Sequence, residues 1–379
     1  MANDLQSSKG QTAIAKTAVA FDRPLNLACG FELTTHELVF ETYGKLNSSH
    51  TNAILICHAL SGDHHAAGVD SEGKSGWWEH YIGPGKPIDT NRFFVVCPNN
   101  IGSCFGSTGP NSINPATGKH WGADFPTLEV SDWVESQVFL MEHLEIDCWA
   151  AVVGGSLGGM QAMHWSVVHP EKLQHAVVIA ASLRLSAQNI AFNEVARQSI
   201  ITDPDFQKGN FYTKKNKPKR GLRVARMLGH ITYLSNDAMK SKFGRKKKNK
   251  DFQYDFNTEF EIESYLNYQG DKFAKEFDAN TYIRMTKALD YYDPTKQNKK
   301  KLSGVFKKIK SKFLVISFTS DWRFSPSRSK EIVKSLLDNN INVSYAEISA
   351  ESGHDAFLMS DDHYHEILNS FFKNILKPK

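Results

Sequence analysis

Apolar residues cluster along this chain in short runs with the spacing of buried strands. Asn52–Cys57, Phe93–Cys97, Trp149–Val153, Ala176–Ala181 and Phe313–Phe318 are near-continuous and rich in branched side chains, and Val343–Ile348 continues the series. Strands covered on both faces read this way, as in parallel sheets. Helical spacing falls between them. Val130, Trp133, Val134, Val138, Met141 and Leu144 recur on one face, and Met160–Val168 forms a second helix stopped by Pro170. Strands alternating with helices predict a mostly parallel α/β sheet. Leu25–Leu33 and Leu38–Gly44 are expected to form an antiparallel edge hairpin, and the first twenty or so residues to be polar and loose.

The rhythm changes after Leu183. From there to about Ser303 the pattern is helical, with helices expected at Arg220–Leu234, Glu259–Asn267 and Asn280–Tyr291. Sheet patterning resumes at Phe313, and a last helix spans about His363–Leu376. The expected organisation is one α/β domain, residues 1–182 and 304–379, interrupted by a helical lid insertion at 183–303. No internal repeat is visible.

Composition narrows the classes. The chain has 379 residues, 41% hydrophobic and 23% charged, with a formal net charge of +4. That balance is ordinary for a globular protein and too mild for a nucleic-acid partner. Lys214-Lys215, Arg245–Lys248 and Lys299–Lys301 lack interleaved aromatics and read as solvated surface. Five cysteines (Cys29, Cys57, Cys97, Cys104, Cys148) include no CxxC pair and are expected to be free thiols in a reducing compartment. Met1–Gln6 carries neither a basic n-region nor an apolar h-region, and no run is long enough to span a bilayer. A cytoplasmic location without membrane contact is the expectation.

The chemistry centres on Gly154-Gly155-Ser156-Leu157-Gly158-Gly159, set between a buried strand and a helix. Gly-x-Ser-x-Gly in that setting is the nucleophile-elbow pattern. The serine takes a strained backbone to lift its hydroxyl above the sheet edge, and side chains two residues away on either side would collide with strand or helix. Phosphate-binding readings fail on spacing: a dinucleotide fingerprint needs glycine where Ser156 stands, and a P-loop needs lysine where Met160 stands.

A serine hydroxyl needs a base, and the base needs an orienting carboxylate. In this architecture both follow the serine, at the C-terminal ends of later strands. Asp321 follows the strand ending at Phe318, and His354 follows the strand ending at Ile348. An oxyanion hole requires two backbone donors, worth roughly 3 kcal/mol each. The N–H of Leu157 and that of Leu60, in the loop after Cys57, are the candidates. His164 and His169 read as packing or capping residues. His58, His64 and His65 lack the carboxylate or thiolate partners of a metal site, so no metal is expected.

With these residues placed, the chain resembles the homoserine O-acyltransferases of the α/β-hydrolase superfamily over nearly its whole length. The matching stretches are His58–Gly62, Gly106–Pro110, Gly154–Gln161, Gln188–Gln198, Arg226–Tyr233, Ala288–Tyr291 and Ser352–Asp355. The resemblance implies an α/β-hydrolase fold with a helical lid, Ser156 as nucleophile, Asp321 as acid and His354 as base. It implies a ping-pong transfer from acyl-CoA, a co-substrate rather than a cofactor, to the hydroxyl of L-homoserine in methionine synthesis. It points to Arg226 and Tyr233 for the substrate carboxylate, to Asp355 for its ammonium, and to a homodimer formed through the lid. The branch using succinyl-CoA carries an arginine two residues after the acid, here Arg323, so this chain is most like the O-succinyltransferase branch. Three alternatives stay open at this point: an acetyl-CoA-dependent enzyme, a serine esterase or thioesterase, and a non-catalytic binding protein of the same fold.

Overall fold

A computed structural model describes residues 16–296 and 302–375. Eight strands form one sheet: β1 (Thr17–Phe21), β2 (His36–Tyr43), β3 (Ala53–Cys57), β4 (Phe94–Pro98), β5 (Ala151–Gly155), β6 (His175–Ile179), β7 (Lys312–Phe318) and β8 (Val343–Ile348). Their order across the sheet is β1-β2-β4-β3-β5-β6-β7-β8. The β1–β2 and β2–β4 pairs are antiparallel, and every later pair is parallel. Parallel pairing forces crossovers, and the helical segments of the sequence supply them.

Alternation along each strand divides the core between the two faces. Leu55, Cys57 and Val152 point to one side, towards α1 (Val130–His143), α2 (Leu157–Val168) and a later helix, α9 (Pro326–Leu337). Ile54, Ile56 and Val153 point to the other, with Trp78, Tyr81 and the Tyr364, Leu368 and Phe372 stripe of α10 (Asp362–Ile375). Both faces are dry, which is why the strands read as unbroken apolar runs. Local caps fix the helix starts. Asp132 Oδ2 accepts from the Glu129 N–H at 2.7 Å while its other oxygen accepts from the Ala28 N–H at 2.8 Å.

Between β6 and β7 lie α3 (Ala187–Ile201), α4 (Lys219–Tyr233), α5 (Asn236–Lys242), α6 (Glu261–Glu276) and α7 (Ala279–Tyr291), with a short α8 (Leu302–Phe306) before β7. Among the described residues this segment adds no strand to the sheet. Ser186, Ser235 and Asp278 cap α3, α5 and α7 through their side-chain oxygens. No helix of the described residues is long and apolar enough to cross a membrane. Lys214, Lys215 and Arg245–Lys248 are exposed, whereas Lys299–Lys301 lie outside the described residues.

Three expectations need correction. Residues 17–21 are not loose. They pair antiparallel with His36–Phe40, and Phe21 stacks on His36 with ring centroids 5.2 Å apart. Leu25–Leu33 is therefore not the hairpin partner of β2; its ends pair with each other in a small two-stranded ribbon outside the main sheet. The predicted helix at Glu259–Asn267 extends to Glu276, through Gly270, because the helix crosses α4 closely enough that a Cβ there would stand 2.9 Å from the Arg223 carbonyl oxygen. Helix α3 lies within the stretch expected to be helical, and its buried polar positions Asn189, Asn193 and Arg197 are why its bounds carry little amphipathic signal.

The crossing of α3 and α4 rests on a glycine. A Cβ on Gly221 would lie 2.2 Å from the Ser199 carbonyl oxygen and 2.6 Å from the Ile200 Cα, both backbone atoms that cannot step aside. Gly→Ala in a helix ordinarily stabilises, by up to about 1 kcal/mol. Here the clash reverses the sign, and Gly221→Ala is expected to cost about 2 kcal/mol. Thermal denaturation measures it; an unchanged or higher Tm contradicts the packing argument.

Candidate active site

β5 runs straight into the turn that carries Ser156. The serine has φ 57° and ψ −121°, a left-handed backbone worth about 1–3 kcal/mol of strain for a non-glycine residue. Surrounding packing holds it there. A Cβ on Gly158 would sit 1.9 Å from the Cys57 carbonyl oxygen, and one on Gly154 would sit 2.2 Å from the Gly158 carbonyl carbon. The two glycines outside the consensus are equally constrained: a Cβ on Gly155 would meet the Phe357 ring at 2.4 Å, and one on Gly159 the Ala181 Cβ at 2.7 Å.

His354 arrives from the turn after β8 and Asp321 from the turn after β7. His354 Nδ1 lies 2.7 Å from Asp321 Oδ2, and His354 Nε2 lies 2.8 Å from Ser156 Oγ. A carboxylate can only accept, so Nδ1 carries the hydrogen and Nε2 is left to accept from the serine hydroxyl. Asp321 is 1% exposed, and its second oxygen accepts from the N–H groups of Arg323 (3.0 Å) and Phe324 (2.8 Å). Those two donors keep the carboxylate from rotating. The imidazole is held between the rings of Phe324, Phe357 and Tyr233, at centroid distances of 4.9, 5.7 and 5.9 Å. Burial pushes the Cys57 thiol far up and that of Cys104 up to about 12, which disfavours the thiolate form of both.

The loop after β3 is pinned by His58. Its Nε2 accepts the Asn100 N–H at 3.0 Å, which leaves Nδ1–H to donate to the Ala59 carbonyl at 2.7 Å. Leu60 follows, lining the cavity over Ser156, and Leu157 is the first residue of α2. Neither N–H finds an acceptor among the described residues, and at a helix start that is the ordinary state of the first amides. His58, His64 and His65 do not converge on an ion site. His65 pairs with Glu41 at 2.9 Å, and among the described residues no group of three or more His, Cys, Asp or Glu is arranged to hold a metal. His169 caps α2 and meets Glu135 at 2.9 Å.

The four residues expected at the substrate all line the cavity over Ser156, which has a volume of about 90 Å³: Arg226, Tyr233, Arg323 and Asp355. The Arg226 guanidinium lies 4.7 Å from the Phe273 ring centre, with one nitrogen 3.4 Å from Ser61 Oγ. Burial pushes the Asp355 carboxyl up, and neighbouring His354 and Arg226 pull it back down. Arg323 does not point to solvent. Its guanidinium donates to Thr232 Oγ1 at 2.6 Å and Asn193 Oδ1 at 3.1 Å, and lies 5.2 Å from the Tyr233 ring centre. Neither Arg226 nor Arg323 has a carboxylate at ion-pair distance among the described residues.

The cradle of Arg323 was not anticipated. Asn193 Nδ2 donates to Asp290 Oδ1 at 2.8 Å, which turns the amide so that its oxygen faces Arg323. Asp290 is in turn paired at 2.8 Å with Arg197, only 2% exposed. Thr232 spends its hydroxyl proton on the Gly229 carbonyl at 2.9 Å, so only its lone pairs face the guanidinium. A signal existed: Asn193, Arg197, Thr232 and Asp290 are polar residues within the very helical stretches that carried the resemblance.

Comparisons with known proteins bear on the family and the fold. The sequence profile of the alpha/beta hydrolase fold matches residues 52–361. A homoserine O-succinyltransferase of Dechloromonas aromatica is 57% identical over 365 residues, covering 96% of this chain and 98% of that protein. A crystal structure of homoserine O-acetyltransferase from Bacillus anthracis superposes with a TM-score of 0.88 at 25% identity, covering 97% of this chain and 99% of that one. The crystal structure of esterase E22 gives a TM-score of 0.87 at 28% identity, covering 95% of this chain and 100% of that one. Proteins named as an acetyltransferase and as an esterase share this architecture, and the 57% identity over nearly the full length of a homoserine O-succinyltransferase decides the family: the chain belongs to the homoserine O-succinyltransferase family, built on the α/β-hydrolase fold.

Proposed function

We propose that this protein transfers a succinyl group from succinyl-CoA to the γ-hydroxyl of L-homoserine, with Ser156, His354 and Asp321 as its catalytic triad. One observation carries the choice of substrates. A succinyl group brings one carboxylate to the site, and homoserine brings a carboxylate and an ammonium. The cavity over Ser156 offers two guanidiniums without carboxylate partners, Arg226 and Arg323, and one carboxylate, Asp355. The charges match one for one. Arg226 and Tyr233 take the amino-acid carboxylate, Asp355 its ammonium, and Arg323 the far end of the succinyl chain.

The chemistry follows in two halves. His354 Nε2 removes the Ser156 proton as Oγ attacks the thioester carbonyl, and the oxyanion is met by the N–H groups of Leu157 and Leu60. The C–S bond breaks and the sulfur leaves with the proton held on His354. Homoserine then gives its hydroxyl proton to His354, its oxygen attacks the acyl-serine, and Ser156 departs reprotonated. Asp321 holds the imidazole in the tautomer that both halves require. The helices of residues 183–303 act as a lid that keeps bulk water from the acyl-enzyme and pairs two subunits. The five free thiols and the acyl-CoA donor fit a reducing cytoplasm, and the product supplies methionine synthesis.

An acetyl donor leaves the half-buried Arg323 guanidinium without a carboxylate partner, which disfavours that alternative. Arg323→Ala is expected to lower kcat/KM for succinyl-CoA about 100-fold while changing that for acetyl-CoA little, the pattern of a lost charge-assisted contact. A wild-type enzyme that uses acetyl-CoA as well as succinyl-CoA refutes the donor assignment. Without homoserine, succinyl-CoA should release a single burst of CoA, and Ser156→Ala should abolish it; continuous release marks a thioesterase. Asp321→Asn should reduce kcat about 10⁴-fold without unfolding the protein, because the amide reverses the imidazole tautomer. A loss of under tenfold rules out the orienting role.

A further inference from the structure

The cavity over Ser156 does not stand alone. Ser61 and Arg226 line it and also line a neighbouring cavity of about 180 Å³. Glu276 and Phe277 bound that second cavity and also bound a third, of about 490 Å³. Helix α4 runs beside all three: Tyr233 faces the first, Arg226 the junction and Lys219 the third. At about 1.5 Å per residue, Tyr233 to Lys219 rises about 21 Å and Arg226 to Lys219 about 10 Å.

Positive charge without partners collects at the far end. Lys215, Lys217, Lys219 and Lys275 line the third cavity, all four are exposed, and none has a carboxylate at ion-pair distance among the described residues. Of the acidic residues there, Asp278 is occupied internally. It caps α7 at the Thr281 N–H (2.8 Å) and accepts from the Tyr212 hydroxyl (3.0 Å). Glu276 remains exposed at the boundary. Aromatic rings form another wall, where Tyr212 stacks between Phe211 and His120 at centroid distances of 4.5 and 5.0 Å.

We propose that this third cavity holds the nucleotide end of the acyl-CoA donor. The lysines meet the phosphates of the 3′-phospho-ADP group, the aromatic wall meets its base, and the pantetheine arm lies between α4 and α6 in the second cavity. The arm supports the assignment by its length. About thirteen bonds separate the thioester sulfur from the first phosphorus, on the order of 15 Å at the roughly 3.5 Å per three bonds of an extended chain. That falls between the two spans measured along α4. Lysine suits the task, since a mobile point charge follows a phosphate that need not be held rigidly. The proposal rests on acyl-CoA being the donor.

The test replaces Lys215→Gln, Lys217→Gln and Lys219→Gln together and compares succinyl-CoA with succinyl-pantetheine, which lacks the nucleotide. KM for succinyl-CoA is expected to rise about tenfold or more relative to that for succinyl-pantetheine, as loss of charge-assisted phosphate contacts requires. Calorimetry with adenosine 3′,5′-bisphosphate should show binding to the wild type and weaker binding to the variant. Lys246→Gln, Lys247→Gln and Lys248→Gln, which line none of the three cavities, should leave the KM ratio unchanged. An unaltered ratio in the first variant, or an equal rise in the second, overturns the proposal. If the wild type turns over neither thioester, the donor assignment fails by itself; bisphosphate binding that depends on these lysines still supports a nucleotide subsite, and its absence removes the subsite too.

Discussion

One imidazole holds this molecule's chemistry together. His354 reaches Asp321 at 2.7 Å on one side and Ser156 at 2.8 Å on the other, although the serine lies 198 positions away in the chain. Such a bridge tolerates errors of only a few tenths of an ångström, because hydrogen bonds weaken steeply outside their range. The sheet supplies that accuracy. β5, β7 and β8 run parallel, so the turns at their C-terminal ends open on the same edge, and each turn delivers one member of the triad. The elbow glycines do the rest, since any Cβ at Gly154 or Gly158 would push the serine off its line.

The helices between β6 and β7 show the same logic applied to charge. In the proposed reaction, a guanidinium that meets a substrate carboxylate must be held still without being neutralised. Arg323 is held by a hydroxyl and an amide oxygen, both uncharged, and the nearest carboxylate of that network, Asp290, is spent on Arg197. The negative charge thus fixes the orientation of Asn193 without reaching Arg323. A lysine would not suit this cradle, because the two acceptors each meet a different terminal nitrogen of the guanidinium fork. Arg226, resting against Phe273, is likewise kept in place by a partner that carries no formal charge.

Much of this was legible beforehand because it is written in local terms. A strand buried on both faces must be apolar throughout, so β3 to β7 announced themselves. A strained turn needs glycine, so Ser156 was identifiable from its neighbours. Chain order and strand ends then singled out Asp321 and His354 from many other acidic residues and histidines. Edge elements were harder. β1 has no buried residue and, apart from Phe21, only short side chains, and its partner β2 lies across a loop containing a separate ribbon, so no periodicity linked them. Helix α3 hid behind its own buried polar residues, which are there to serve Arg323.

The sequence by itself determined the central strands of the sheet, the elbow and the identities of the groups that meet at it, because backbone sterics and burial act on residues close together in the chain. It did not determine which polar side chains of the lid face one another. Asn193, Thr232 and Asp290 lie on three different helices, and only their packing decides that an amide is turned one way and a hydroxyl another. Nor could it show that Lys215, Lys217, Lys219 and Lys275, ordinary surface residues in the linear text, line one cavity. Contacts between elements depend on crossing distances set by residues such as Gly221 and Gly270, and those distances exist only once the chain is folded.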